Sequence, residues 1–162
     1  MNIVGSGVRK VAAKLDPDRR WTVAEVDRDV MAGPVSADYW RGEVRELAEA
    51  IREGSWAHVK EEWGDVTLLL QLMLHGKGVP GVGKIPVTEL TGKNSLRKFI
   101  ARLSVWERIY EHHNRPFNVR HLIGGGNYAK EKKVRAALAH AGVTGADVDL
   151  QWLKKQGIVT EP

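Results

Sequence analysis

The stretch from Glu43 to His75 constrains this chain most, because it predicts two neighbouring helices that both carry paired acids. Its sequence, EVRELAEAIREGSWAHVKEEWGDVTLLLQLMLH, divides at Gly54–Ser55. Residues three apart share one face of a helix. If the two helices fold back on each other, four carboxylates meet, and such a cluster requires a cation. The four acids are Glu46 and Glu49 on the first helix and Glu62 and Asp65 on the second.

The two predicted helices place their acids differently. On the first, Glu46 and Glu49 fall roughly opposite the apolar stripe when counted at about 100° per residue, which alone indicates a solvated face. On the second, Glu62 and Asp65 lie on the same side as apolar residues, where acids are costly unless something pairs with them. Salt bridges to the plentiful Lys and Arg side chains are the structural alternative to a metal site.

Length and composition favour one folded domain. The chain has 162 residues, of which 43% are hydrophobic and 28% charged, so it can bury a core. It has no cysteine, which excludes disulfides and thiolate chemistry and fits a cytoplasmic protein. The longest apolar run, Val66 to Leu74, is about half the length needed to cross a membrane. The N-terminal MNIVGSGVRK lacks the apolar region of a secretion signal. We therefore expect no membrane partner.

The net charge of +5 favours anionic partners, either polyphosphates or nucleic acid. Basic residues concentrate between positions 115 and 135, and the two helices predicted on either side of Gly142 are similar to a helix-turn-helix. One function that these features predict is therefore a basic helical nucleic-acid-binding protein that catalyses no reaction. A cluster of acids would repel phosphate unless a metal were bound, so nucleic acid is the less favoured partner.

Capping residues predict the helix boundaries, because Ser, Thr and Asp open helices and Gly ends them. A short helix is expected to open at Asp16–Pro17, or at Thr22 with its capping-box partner Glu25, and to end near Gly33–Pro34. Ser36 and Gly54 bound the first acidic helix, and Ser55 and Gly76 bound the second. Later helices are expected from Asn94 or Ser95 to His113, from Tyr128 to Ala141 and from Gly145 to Gln156.

The acid pattern and its context resemble the MazG-like all-α nucleoside triphosphate pyrophosphohydrolases. The motif of this family is ExxE, a spacer of twelve residues and then ExxD. The sequences around the motif also match the family, namely ELAEAI on the first helix, a glycine at the turn and EEWGDV on the second helix. The resemblance is good over about Asp38 to His75. It implies an all-α fold with a MazG-like helical bundle core and extra C-terminal helices. We expect a single domain over 1–162, with its core at about 16–113 and a basic helical extension at about 114–162.

The resemblance also implies an activity, namely hydrolysis of a nucleoside triphosphate between its α- and β-phosphates to a monophosphate and pyrophosphate. It implies Glu46, Glu49, Glu62 and Asp65 as catalytic metal ligands, with water as the nucleophile and Glu49 or Glu62 as its base. Clustered carboxylate oxygens suit Mg²⁺, with Mn²⁺ as a substitute. A purine deoxynucleotide such as dGTP is a guess at the substrate, without support from any residue.

Two pairs of residues resemble the substrate-binding residues of the family. Lys93 and Arg97 are four apart at the start of a predicted helix, where free N–H groups already favour an anion. Family members use a Lys and an Arg at this spacing to hold the triphosphate, and the alternative is two solvated cations. Tyr128 and Lys132 resemble an aromatic–Lys pair found in the C-terminal part of family members.

The remaining expectations concern assembly and packing. Val66 to Leu74 is apolar on nearly every side and needs cover all round, so we expect a homodimer or homotetramer that completes the core. Trp56 and Trp63 are interpreted as packing residues, with a base pocket as the alternative. His112 and His113 are interpreted as a cationic last turn of their helix rather than as metal ligands.

Overall fold

A computed structural model describes residues 15–31, 35–122 and 126–162, and these residues confirm the all-α prediction. They contain two isolated β-bridges and no strand. None of the helices in this part of the chain is long and apolar enough to cross a membrane. The α-helices are α1 (Val23–Val26), α2 (Ala37–Glu53), α3 (Trp56–Gly76), α4 (Lys93–His112), α5 (Glu131–His140) and α6 (Leu150–Lys155).

The described residues form two compact units, one of residues 16–98 and the other of residues 99–162 with Leu15. The first unit holds α1, α2, α3 and the opening turns of α4. The second holds the rest of α4 with α5 and α6. The expected division into a core of about 16–113 and an extension of about 114–162 stays a prediction.

The hairpin of α2 and α3 is the centre of the first unit, and its predicted boundaries are confirmed. Ser36 and Ser55 cap the two helices by accepting hydrogen bonds from backbone N–H groups in their first turns. Gly54 ends α2 in the left-handed region at φ +75°, which glycine adopts without steric cost. The Trp40 indole N–H donates to the Val66 carbonyl at 3.2 Å, which fixes α2 against α3.

The segment before α2 differs from the prediction at its start. Asp16–Pro17 does not open a helix, because the Asp16 carboxylate accepts the Asp18 backbone N–H at 2.8 Å within a turn. The predicted capping box at Thr22 is confirmed and opens α1. A π-helical turn, Asp27–Met31, continues α1. The predicted end of the helix near Gly33–Pro34 lies outside the described residues.

Two glycines allow α4 to begin close against the middle of α3. A Cβ on Gly92 would lie 2.5 Å from the Leu68 Cβ and 2.8 Å from the Gly64 carbonyl oxygen. A Cβ on Gly64 would lie 2.9 Å from the Ser95 Oγ. Gly64 lies between Glu62 and Asp65 in sequence, so this approach places the first turn of α4 beside the acidic segment of α3.

The single chain covers most of the apolar run that was expected to need a partner. Five of its apolar residues are buried, and Leu70 and Leu74 are half-buried. The argument for oligomerisation from this run is therefore wrong. The five buried residues of the run are Val66, Leu68, Leu69, Leu72 and Met73.

Trp56 and Trp63 are 78% and 55% exposed, so their interpretation as packing residues is also wrong within one chain.

The second unit is organised around the buried rings of α4. The Trp106 indole N–H donates to the Gly126 carbonyl at 2.6 Å, and the Tyr110 hydroxyl donates to the Ala137 carbonyl at 3.0 Å. Both later helices begin after their predicted starts, at Glu131 and Leu150. The shift at Leu150 arises because Asp149 supplies the cap, after a separate 3₁₀ turn.

The two histidines at the end of α4 have different environments. The His113 Nδ1–H donates to the Ile109 carbonyl at 2.7 Å, and its Nε2 accepts the Asp149 backbone N–H at 2.9 Å. Both ring nitrogens of His113 are therefore engaged by backbone groups, and the interpretation of the two histidines as a cationic last turn stays a prediction. The His112 Nε2 lies 2.8 Å from the Asp149 carboxylate, and its ring stacks on Trp152.

Candidate metal centre

Three carboxylates from the α2–α3 hairpin come together. One oxygen each from Glu43, Glu62 and Asp65 lies within 4.8 Å of the other two. Glu43 and Glu62 are only 7% and 9% exposed, although no charged side chain is buried cheaply. We call these three residues the carboxylate cluster.

Sequence reasoning missed Glu43, which occupies the position on α2 that points into the hairpin. Counted at about 100° per residue, Leu47 and the buried Ala50 lie within about 40° of Glu43, so the acid is centred on the buried side. Glu46 lies about 60° away and is exposed, and the charge of its carboxylate contributes to the raised pKa of both Glu43 and Glu62. Glu49 lies about 120° away, is exposed and is not among the gathered carboxylates.

Burial and mutual repulsion keep protons on the carboxylate cluster. Burial, followed by the charges of Glu46 and Asp65, raises the pKa of Glu43 to about 8. Burial, followed by the charges of Asp65 and Glu46, raises the pKa of Glu62 to about 7.

The unsatisfied oxygens of the cluster fit a divalent cation. Oε2 of Glu43 and Oε2 of Glu62 are buried and have no hydrogen-bond partner. The neighbours that shift the pKa of Glu43 are all carboxylates, so the salt-bridge alternative has no support at this residue. Lys98 pairs instead with Glu61, at 2.9 Å. Hard carboxylate oxygens are the ligands that Mg²⁺ and Mn²⁺ prefer.

His58 is a second residue that sequence reasoning missed, and it contacts the cluster from the first turn of α3. Its Nε2 lies 3.1 Å from the Glu62 Oε1 and its Nδ1 lies 3.3 Å from the Glu53 Oε2. The hydrogen bond to Glu53, together with the charges of both acids, raises the pKa of the imidazole. The four-residue spacing between His58 and Glu62 was the available sequence signal.

Comparison with known proteins identifies the segment that carries this site. Residues 36–103 match the family model of the MazG nucleotide pyrophosphohydrolase domain. Residues 36–103 are a MazG domain. The match includes the α2–α3 hairpin with the whole carboxylate cluster, and it confirms the resemblance drawn from the sequence. No curated protein and no solved structure matches the chain.

Lys93 and Arg97 lie within the MazG domain, on the first two turns of α4. The Arg97 Nε donates to the Asp18 carboxylate at 2.8 Å, and its Nη1 donates to the Asn94 side-chain oxygen at 3.2 Å. Both the Arg97 and the Asp18 side chains are partly open to solvent, at 38% and 68% exposure. The predicted role of Lys93 and Arg97 in phosphate binding stays a prediction.

Tyr128 and Lys132 lie outside the MazG match, in the second unit. The Tyr128 ring makes an edge-to-face contact with Trp106, with ring centroids 6.2 Å apart. Lys132 is exposed in the first turn of α5. Tyr128 therefore has a packing role in its own unit, and substrate binding by either residue stays a prediction.

Proposed function

We propose that the MazG domain hydrolyses a nucleoside triphosphate between its α- and β-phosphates, releasing a monophosphate and pyrophosphate. The observation that carries the proposal is the carboxylate cluster, whose oxygens converge within 4.8 Å and include two buried atoms without a hydrogen-bond partner. A triphosphate substrate travels with a divalent cation, and such a cation satisfies these oxygens.

The proposed ligands are Glu43, Glu46, Glu62 and Asp65, with Mg²⁺ as the ion and Mn²⁺ as a substitute. This set retains three of the four residues predicted from the sequence and replaces Glu49 with Glu43. When bound, the ion lowers the pKa of a bound water and offsets charge on the phosphates. The sequence suggested Glu49 or Glu62 as the base that takes the water's proton, and this proposal assigns that role to Glu46, which is exposed and interacts electrostatically with the cluster.

Phosphate binding is assigned in this proposal to Lys93 and Arg97. Both lie at the N-terminal end of α4, where the helix dipole favours an anion. An exposed ion pair such as Arg97–Asp18 contributes little free energy, so Arg97 can exchange its carboxylate partner for a phosphate. Tyr128 and Lys132 remain candidates for contacts to the base and to a phosphate.

The substrate and the assembly are also part of the proposal. The proposed substrate is a purine deoxynucleotide, and dGTP is the first to be tested. A homodimer or homotetramer is supported by the exposed apolar side chains Ile51, Trp56 and Trp63 on the hairpin. We place the reaction in the cytoplasm.

The test is a panel of all common ribo- and deoxyribonucleoside triphosphates with Mg²⁺, in which the monophosphate, diphosphate, pyrophosphate and orthophosphate products are quantified. We expect equal amounts of monophosphate and pyrophosphate, and no turnover with a chelator or in the Glu62→Gln variant. Release of orthophosphate with a diphosphate, or no hydrolysis of any member, would contradict the proposal.

A further inference from the structure

The geometry around Glu62 points to His58 as a positioning residue, whose Nε2–H holds the Glu62 carboxylate in the orientation that binds the cation. This inference rests on the proposed function, because it assumes that Glu62 is a metal ligand. It adds a residue that no family signature in this sequence marks. We propose no direct contact of His58 with the substrate or the ion.

The two oxygens of Glu62 have different surroundings. Oε1 lies 3.1 Å from the His58 Nε2, whereas Oε2 is buried without a hydrogen-bond partner. A carboxylate that is bonded through one oxygen is fixed in rotation, so its other oxygen faces a constant direction. His58 thus leaves Oε2 as the free ligand atom, in the way that outer groups orient the ligands of metal sites.

His58 is itself held in place from both helices of the hairpin. It lies four residues before Glu62 on α3, so the two side chains share a helix face. Its other ring nitrogen, Nδ1, lies 3.3 Å from Glu53, the last residue of α2. The Ser55 hydroxyl accepts the His58 backbone N–H and fixes the turn from which the ring extends. The ring therefore links the end of α2 to a ligand on α3.

A surface ion pair is the ordinary explanation of a His–Glu contact, and burial argues against it here. The Glu62 side chain is only 12% exposed, while that of His58 is 42% exposed. Exposed pairs contribute little, but removing the partner of a buried carboxylate leaves that oxygen unsatisfied. The loss of His58 is thus expected to weaken cation binding by Glu62, rather than to remove only the small stabilisation of a surface ion pair.

The experiment compares His58→Gln with His58→Asn in the full-length protein. The Gln amide nitrogen reaches about as far from the backbone as the imidazole Nε2, whereas the Asn amide is shorter and cannot reach Glu62. Isothermal titration with Mn²⁺ and with Mg²⁺ gives the metal affinity, and kcat and KM are measured with the best triphosphate. Lys60→Ala, an exposed neighbour on α3, is the matched control.

We expect His58→Asn to bind metal about 10-fold more weakly or worse, which is the effect typical of an outer-shell partner. His58→Gln and Lys60→Ala are expected to stay close to the wild type, and saturating metal restores much of the kcat lost in His58→Asn. Unchanged metal affinity in His58→Asn overturns the inference alone, provided that the wild type releases pyrophosphate. Equal loss in the Gln and Asn variants also overturns it. No metal binding by the wild type overturns both the inference and the proposed function.

Discussion

Glu43 and Glu49 stand on either side of Glu46 in the sequence and differ in what surrounds them. Glu43 is buried in the carboxylate cluster, whereas Glu49 is exposed. We expect Glu43→Gln to weaken Mg²⁺ binding and turnover by more than the roughly 10- to 100-fold typical of outer-shell changes. Glu49→Gln is expected to change both by no more than about 2-fold, as for most surface substitutions.

For Glu43→Gln and Glu49→Gln, titration calorimetry gives the Mg²⁺ affinity and pyrophosphate release gives the turnover, under the same conditions. Equal losses in both variants would return Glu49 to the metal site. A loss confined to Glu49→Gln would contradict the assignment of Glu43.

The choice between these acids shows where sequence reasoning at the residue scale reached its limit. Glu43–Glu46 and Glu46–Glu49 have the same three-residue spacing, so spacing alone cannot select one pair. The apolar stripe held the missing information, because Glu43 precedes Leu47 by one turn and Ala50 by two. Glu62 and Asp65 were predictable because their own helix is apolar on the side that carries them. Their convergence with Glu43 depends on the tertiary contact.

Arg97 and Asp18 give a second residue-scale prediction. Arg97→Ala is expected to raise KM or lower kcat/KM for the triphosphate, because a phosphate partner is lost. Asp18→Asn removes the competing carboxylate and is expected to lower KM, by a factor of about 5 at most given the small free energy of exposed pairs. Steady-state kinetics at fixed Mg²⁺ measures both variants. If kcat/KM of Arg97→Ala is unchanged, Arg97 has no part in binding the substrate.

The approach of α4 to α3 depends on two glycines that differ in what a methyl group would meet. Alanine at Gly92 would place its Cβ 2.5 Å from the Leu68 Cβ, and the backbone there has φ +102°. Alanine at Gly64 would meet mainly the Ser95 hydroxyl, which can rotate away. We expect Gly92→Ala to lower the free energy of unfolding by about 2 kcal/mol or more and Gly64→Ala by clearly less.

Urea unfolding at fixed pH measures this difference. Ser95→Ala combined with Gly64→Ala is the control, because it removes the oxygen that the new methyl group would meet. The double variant is expected to recover the stability lost in Gly64→Ala. Equal destabilisation by the two single substitutions would contradict the expected difference, and a Gly92→Ala variant as stable as the wild type would mean that α4 does not need the close contact at Gly92.

At the scale of elements, local signals predicted boundaries well, whereas signals that depend on tertiary packing did not. Ser36, Gly54 and Ser55 fix helix ends through contacts within one turn, so the sequence contains what is needed. Asp16 does not cap a helix, because its carboxylate accepts the Asp18 backbone N–H within a turn instead. Trp56 and Trp63 failed as core residues because the position of a neighbouring helix, rather than the residue type, decides burial.

The stability of the whole metal-free protein is expected to fall as the pH rises from about 5 to 8.5. The pKa of Glu43 is raised from its ordinary 4.5 to about 8 and that of Glu62 to about 7, so the folded state binds more protons than the unfolded state in this range. The stabilisation is complete below the ordinary pKa and is lost as the pH passes the folded values. The raised pKa of the His58 imidazole acts in the same direction.

Thermal unfolding in the presence of a chelator, followed over this pH range, measures the effect. Glu43→Gln removes one of the titrating groups and is expected to flatten the dependence. Mg²⁺ is expected to oppose the fall, because it binds the deprotonated cluster and so stabilises the folded state at high pH. A Tm that rises with pH in the chelated protein would contradict the raised pKa values.

Assembly is the remaining property at the scale of the whole molecule. Ile51 and Trp56 flank the hairpin turn, and Trp63 lies two turns along α3 on the same face as Trp56; all three are more than half exposed. Covering these side chains with a second copy removes apolar surface from water, which is the usual driving force of association. We therefore expect a dimer or tetramer that is held together through the hairpin, rather than through the already covered run from Val66 to Leu74.

Light scattering coupled to gel filtration gives the mass of the wild type and of Trp56→Glu and Trp63→Glu. Both charged variants are expected to shift the protein towards the monomer, since an interface buries a charge only at high cost. Leu90→Glu is the matched control, because Leu90 is 80% exposed on the 3₁₀ turn between α3 and α4, away from the hairpin turn. A wild type that remains monomeric at high concentration would contradict the proposed assembly, and dissociation only in Leu90→Glu would move the interface to the α3–α4 connection.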